Sequence, residues 1–177
     1  VRVEGRFADR APALAAVLVP LVQRDELTVL LTQRTQHLST HSGQVAFPGG
    51  KQDPEDRDAV ATALREAYEE VGLEAGQTEV LGSLPVYETG TAFIVTPVVA
   101  LVQPDVVLKP NPYEVAQVFE VPLRFLLDPA HHQRHRLQWQ GMEREWWSMP
   151  YDDAGHERYI WGATAGMLRN FYRFMAA

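Results

Sequence analysis

The sequence predicts an α/β fold in which a mixed β-sheet is flanked by helices. Apolar runs separated by turn residues recur from Ala13 to Val22, Leu27 to Thr32, Thr78 to Leu84, Phe93 to Leu101 and Ala116 to Pro122, the pattern of strands. Between them Val60, Leu64, Ala67 and Val71 repeat at helical spacing. A second stripe at the same spacing, Thr164, Met167, Leu168, Phe171 and Met175, closes the chain.

Each element has local signals of its own. The polar step Gln23-Arg24-Asp25-Glu26 separates the first two strands, and Gln44 to Phe47 reads as a short strand feeding a turn at Phe47-Pro48-Gly49-Gly50. The following helix ends at Val71, because Gly72 can adopt the left-handed conformation that closes helices. Its start stays open among Asp53, Asp56 and Asp58, each a competent N-cap. Leu137 to Trp147 alternates apolar and polar residues as a hairpin around Gln140-Gly141, with Trp139 and Trp146 expected to cover the core. The last helix is expected to pack on the sheet, and part of its aromatic and Met stripe could serve a homodimer interface. Without repeats or low-complexity linkers, residues 1–177 are expected to form a single domain.

The informative anomaly is acid at the end of the first helix. Glu66, Glu69 and Glu70 all fall in its last two turns, where three carboxylates would converge. Like charges at these spacings cost roughly 0.2 to 0.5 kcal/mol per pair, and anions near a helix C-terminus oppose its dipole by about 0.3 to 1 kcal/mol each. A bound cation reverses both penalties. Arg65 can reach Glu69 one turn on, leaving Glu66 and Glu70 freer to act as ligands. Gly49 and Gly50 let the backbone approach a ligand closely, and a carbonyl there, such as that of Gly50, could complete the oxygen shell of Mg²⁺.

Arg65-Glu66-Ala67-Tyr68-Glu69-Glu70-Val71-Gly72-Leu73 resembles the second half of the Nudix hydrolase signature, Arg-Glu-apolar-any-Glu-Glu-any-Gly-apolar. In the first half Asp56 stands where the pattern has Glu, with one additional residue before Arg65. Leu30-Leu31-Thr32-Gln33-Arg34 followed by Gly43-Gln44-Val45-Ala46-Phe47-Pro48-Gly49-Gly50 is similar to the segment that marks coenzyme A pyrophosphatases. Thr35 stands where that segment has Ser or Ala, and Ser39 where it has a second Arg. Tyr159 to Ala165 carries a looser likeness downstream.

The resemblance implies a Nudix-type α/β/α sandwich that hydrolyses the diphosphate of coenzyme A or a derivative with Mg²⁺ or Mn²⁺, giving adenosine 3',5'-bisphosphate and 4'-phosphopantetheine. Glu66, Glu69, Glu70 and Gly50 are then the expected metal ligands, and Arg65 orients the carboxylates. Glu69, Glu88 and Glu114 are candidates for the general base, Glu69 first. Arg34, His41, Gln44 and Lys51 are expected to meet the anionic substrate. Other nucleoside diphosphate derivatives, or a Nudix-like module that binds without cleaving, are the alternatives; retention of all three helix glutamates and of Arg65 favours an enzyme.

Composition narrows the field further. A formal charge of −7 disfavours nonspecific nucleic-acid binding, which needs Lys and Arg against phosphates. With no Cys, disulfides and thiolate metal sites are excluded. A cytoplasmic location is expected, since no apolar run is long enough to cross a bilayer and the start lacks a signal-peptide pattern. His131, His132 and His135 lie among Gln133, Arg134 and Arg136, a polar setting that reads as a solvated loop in preference to a metal site.

Overall fold

The computed structural model describes residues 10–38 and 43–177. Its centre is the strand β1 (Ala13–Gln23), whose alternate residues face opposite layers. Ala16, Leu18 and Val22 point into one core with Ala63, Ala67 and Val71 of helix α1 (Ala59–Val71). Val19 and Leu21 point into the other, with Ala165, Met167, Leu168 and Phe171 of the terminal helix α3 (Gly162–Met175). A strand buried on both faces must be apolar throughout, which is why this run does not alternate.

One edge of β1 pairs in parallel with β7 (Phe93–Val102) along nearly its whole length. The other edge is shared between two antiparallel partners. β4 (Gly49–Lys51) takes Ala15 to Val17, and β2 (Leu27–Arg34) takes Leu21 to Gln23. β2 pairs in turn with β3 (Val45–Ala46) and β8 (Val115–Pro122), while β5 (Thr78–Ser83) and β6 (Tyr87–Glu88) pair with β7. One parallel pair among antiparallel ones makes the sheet mixed, as expected, with α1 and α3 on its two faces. The short α2 (Leu123–Leu126) follows β8.

A second, three-stranded antiparallel sheet was not foreseen. It comprises β9 (Gln133–Trp139), β10 (Met142–Asp153) and β11 (His156–Trp161), and the expected hairpin at Gln140-Gly141 is its first turn. Gln140 and Gly141 both have positive φ, 49° and 74°. Trp139 does not cover the core: it is 52% exposed at the hairpin tip, with the Arg144 guanidinium 4.9 Å from its ring centre. Met149 and Ile160, farther from that tip, fill the core instead. Met175 likewise lies outside the buried stripe of α3, 59% exposed in the last turn.

The histidine segment is not a solvated loop. His131 stacks on Phe125 at 3.9 Å between ring centres, and His135 Nε2 lies 2.7 Å from Ser148 Oγ. His132 Nδ1 accepts from Arg169 at 3.0 Å, which leaves Nε2 to donate to the Leu126 carbonyl at 2.7 Å. His132 thus ties α3 to α2, and His135 ties β9 to β10.

The glycines at 49 and 50 do not form the flexible turn expected of them. Both lie in β4 with ordinary negative φ, and what they supply is space. A Cβ on Gly49 would meet Ala16 O at 2.5 Å and Val17 Cα at 2.7 Å, both backbone atoms. Gly49→Ala must therefore push β4 off β1, with an expected loss of about 1 to 3 kcal/mol, read as a lower urea midpoint with unchanged m-value.

Candidate functional site

Helix α1 begins where Asp58 caps it, accepting from Ala61 N at 2.8 Å, which resolves the three candidates for its start. It ends as expected at Gly72, with φ 71°. Gly72 is doubly constrained, since a Cβ would also come within 2.8 Å of Lys109 N. The last carbonyls of the helix are capped by the chain beyond: Lys109 N donates to Val71 O and Asn111 N to Glu70 O, both at 2.8 Å. The acidic turns are thus fixed at both ends.

Glu70 is buried, its side chain 6% exposed, and one of its oxygens accepts from Gly49 N at 3.2 Å. The other oxygen faces Arg34 Nη1 at 4.0 Å. Burial and the repulsion of Glu66 push the Glu70 carboxyl up to about 8, against the pull of Gly49 and Arg34. Glu66 stands over Gly50, where a Cβ would meet its Oε1 at 2.6 Å. Burial raises Glu66 as well, although Arg65 works in the opposite direction.

Glu69 takes the Arg65 bond expected of it, at 3.2 Å, with its side chain 53% exposed. Among the described residues no three acidic or histidine side chains converge closely enough to form a ready cation cage. Arg65 Nη1 holds both Glu69 and Glu66, the latter at 3.1 Å, so Glu66 is not left free as expected.

Asp56 has a clear place. It takes Arg65 Nε at 3.0 Å and Nη2 at 2.8 Å, and accepts from Asp53 N and Thr62 Oγ1, each at 2.9 Å. The Arg65 hydrogen bonds hold its carboxyl well below the usual range, and the guanidinium is raised in return. Arg65 also donates to the Lys51 carbonyl at 3.2 Å, tying the helix to β4. The shorter acid and the additional residue in this chain still deliver a carboxylate to Arg65.

The other candidates divide. A register shift pairs Gln33 with Gln117 but Arg34 with Val115, and at that bulge Arg34 turns toward Glu70. Its Nε is buried and finds no partner among the described residues. Glu114 lies on the loop whose Asn111 N is bonded to Glu70 O, and its charge adds to the repulsion on both Glu66 and Glu70. Gln44 supports Arg34 through its backbone, its carbonyl accepting Arg34 N at 2.9 Å. Lys51 contributes its carbonyl, and its side chain is exposed. Glu88 pairs in β6 on the far side of β7, while His41 and Ser39 lie outside the described residues. Sequence reasoning passed over Thr62 and Asn111; only the Thr at the fourth position of the helix hinted at a side-chain bond to an acid ahead of it.

Acidic oxygens packed around a glycine strand, with Arg at their edges, suit a hard divalent cation and an anionic ligand. The NUDIX domain model matches residues 12–140. An uncharacterized Nudix hydrolase of Yersinia pestis, NudL, is 41% identical over 156 residues, 88% of this chain and 76% of that one. The chain belongs to the Nudix hydrolase family. Among solved structures, a binary complex of a C. elegans Ap4A hydrolase aligns with TM-score 0.57 at 20% identity over 93% of this chain and 98% of that one. The M. smegmatis Nudix hydrolase RenU aligns with TM-score 0.52 at 27% identity over 65% and 72%. The protein is accordingly an enzyme acting on diphosphate substrates, in a family that generally needs divalent metal ions.

The raised carboxyl has a measurable consequence without metal. Glu70 keeps its proton in the folded chain up to about 8 but loses it near 4.5 when unfolded. The folded state binds more protons across that window, so its stability is greatest below pH 4.5 for this group and falls as pH rises through 8. In chelator-treated protein the fall should reach a few kcal/mol. Urea unfolding between pH 5 and 8.5 should show that slope in the parent and a flatter one in Glu70→Gln.

Proposed function

We propose that this enzyme hydrolyses the diphosphate bond of coenzyme A or a derivative, using Mg²⁺ or Mn²⁺ held by the Glu66 and Glu70 carboxylates with Glu69 and the Gly50 carbonyl completing the set. The observation that carries the metal reading is the adjacent pair of buried Glu70 and half-buried Glu66, both carboxyls raised at a helix end that opposes negative charge. Two such groups gain from a hard cation what they lose by burial. Their oxygen donors fit Mg²⁺ and Mn²⁺, and the missing side chains of Gly49 and Gly50 leave the space. A divalent ion bound there supplies Lewis acidity and positive charge to the reacting diphosphate.

The chain's own residues do the rest. Arg34, charged and only partly paired at Glu70, is available to an anionic phosphoryl oxygen. Arg65, clamped by Asp56, keeps Glu66 and Glu69 in register with β4 and positions without touching substrate. For the general base, Glu114 is favoured over Glu69. Glu69 is held by Arg65 and faces solvent, whereas Glu114 is carried by a loop bonded to the end of α1 through Asn111 N and Glu70 O, and its charge bears on both Glu66 and Glu70. Glu88 belongs to a more distant strand.

Support for coenzyme A comes from the likeness of Leu30 to Arg34 and Gly43 to Gly50 to the segment that marks coenzyme A pyrophosphatases; these residues lie in and between β2, β3 and β4, beside Arg34. Purified protein with Mn²⁺ should release adenosine 3',5'-bisphosphate and 4'-phosphopantetheine from coenzyme A faster than it cleaves ADP-ribose or dinucleoside polyphosphates; the reverse ranking by product chromatography would sink the substrate assignment. Glu70→Gln should lower kcat by at least about a hundredfold while keeping the fold by circular dichroism, and turnover near the parent's would remove the metal assignment.

A further inference from the structure

The carboxylate of Glu114 sits on a loop, and a loop residue can serve a reaction only if something fixes it. Residues 109–114 are fixed at both ends. At the helix end, Asn111 N donates to Glu70 O at 2.8 Å, and the Asn111 carbonyl accepts Glu114 N at 3.1 Å and Val115 N at 2.9 Å. The Asn111 side chain closes the turn from within, its Oδ1 accepting Tyr113 N at 3.1 Å. At the sheet end, Thr35 Oγ1 donates to Tyr113 O at 2.7 Å and Thr35 N donates to Glu114 O at 3.1 Å. The Thr35 carbonyl accepts Gly43 N at 3.2 Å, so all three polar groups of this buried residue are engaged.

We propose that Thr35 and Asn111 are positioning residues that hold the loop bearing Glu114 at the end of α1 that carries Glu66 and Glu70. Thr35 directly follows Arg34 and the register shift that turns Arg34 to Glu70. One residue's backbone therefore sets the spacing between the arginine and the loop glutamate, while Asn111 sets the spacing between that glutamate and the end of α1. An Ala at position 35 would preserve the backbone bonds and forfeit the hydroxyl bond to Tyr113. The hydroxyl is the part specific to this chain's Thr or to a Ser. The catalytic part of the inference rests on the diphosphate hydrolase reading above, but the geometric part does not.

Thr35→Val replaces the hydroxyl by a methyl of similar shape, and Thr35→Ser restores it. Two readouts are needed, kcat and KM on the best diphosphate substrate with Mn²⁺, and the Kd of MnCl2 for the protein alone by calorimetry. Thr35→Val should lower kcat by about tenfold, as expected when a reacting group is misplaced, with KM changed by less than about twofold. It should weaken Mn²⁺ binding by about as much as Glu114→Gln does, and Thr35→Ser should recover both. In the Glu114→Gln background Thr35→Val should cost nothing more, because the group it positions is gone. Asn111→Ala should follow the same pattern.

Full additivity of Thr35→Val with Glu114→Gln, or failure of Thr35→Ser to recover, reduces Thr35 to ordinary packing and overturns the proposal. So does parent-like behaviour of Thr35→Val where Glu114→Gln is impaired, or no effect of Glu114→Gln on either readout. Non-additive Mn²⁺ binding in a protein that cleaves no diphosphate would sustain the positioning and overturn the hydrolase reading alone.

Discussion

The site depends on a close approach between strand β4 and helix α1 that leaves no room for side chains at positions 49 and 50. The Glu70 carboxylate takes a backbone N–H from Gly49, and the Glu66 carboxylate occupies the volume that a Cβ on Gly50 would need. Behind β4, Gly49 presses on the backbone of β1 at Ala16 and Val17. Sheet, glycine strand and acidic helix are thereby stacked at near-contact distance. Residues with larger side chains here would separate the carboxylates from the sheet and return them to water, where they would ionise like ordinary glutamates.

Such an arrangement concentrates negative charge where the helix dipole already opposes it, and Arg65 partly offsets this. The guanidinium is shared among Asp56, Glu66, Glu69 and the Lys51 carbonyl. Five N–H donors in a rigid fork can serve several acceptors at once, which a lysine ammonium on a flexible stem could not do with the same geometry. The result is an asymmetric cluster. Glu70 stays buried and protonated near neutrality, while Glu69 is drawn toward solvent. The charge of a carboxylate, and hence its chemical use, is set by which of its neighbours are charged and which are merely apolar.

The loop after β7 extends the site to a third element. It caps the open carbonyls of α1 with Lys109 and Asn111, then hands the chain to β8 beside Arg34. Caps of this kind satisfy groups that a helix cannot satisfy internally, and here they also carry a carboxylate to the same end of the helix. Arg34, Glu66, Glu70 and Glu114 thus come from a strand, a helix and a loop that meet only because β1 is buried on both faces and organises its neighbours.

Much of this was legible in the sequence. The apolar runs marked the main strands, the period of Val60 to Val71 and the αL glycine after it marked α1, and the density of Glu at the helix end marked the acid cluster. These are local properties, since hydrophobic period and capping depend on residues a few positions apart. The role of Asp56 was not local: its bond to Arg65 depends on how residues 52–58 turn back on the helix. Trp139 looked like core because alternation says which face a side chain takes but not whether anything covers that face.

Local pattern in the sequence was enough for the main strands, the glutamate-bearing helix and the family. The packing of the elements decided that Gly49 and Gly50 supply space and not flexibility, that Arg65 also holds Glu66 and Asp56, and that the loop bearing Glu114 is bonded to the end of α1. Those outcomes depend on distances between segments far apart in the chain, set by how β1, β4 and α1 pack, and spacing along a sequence does not contain them.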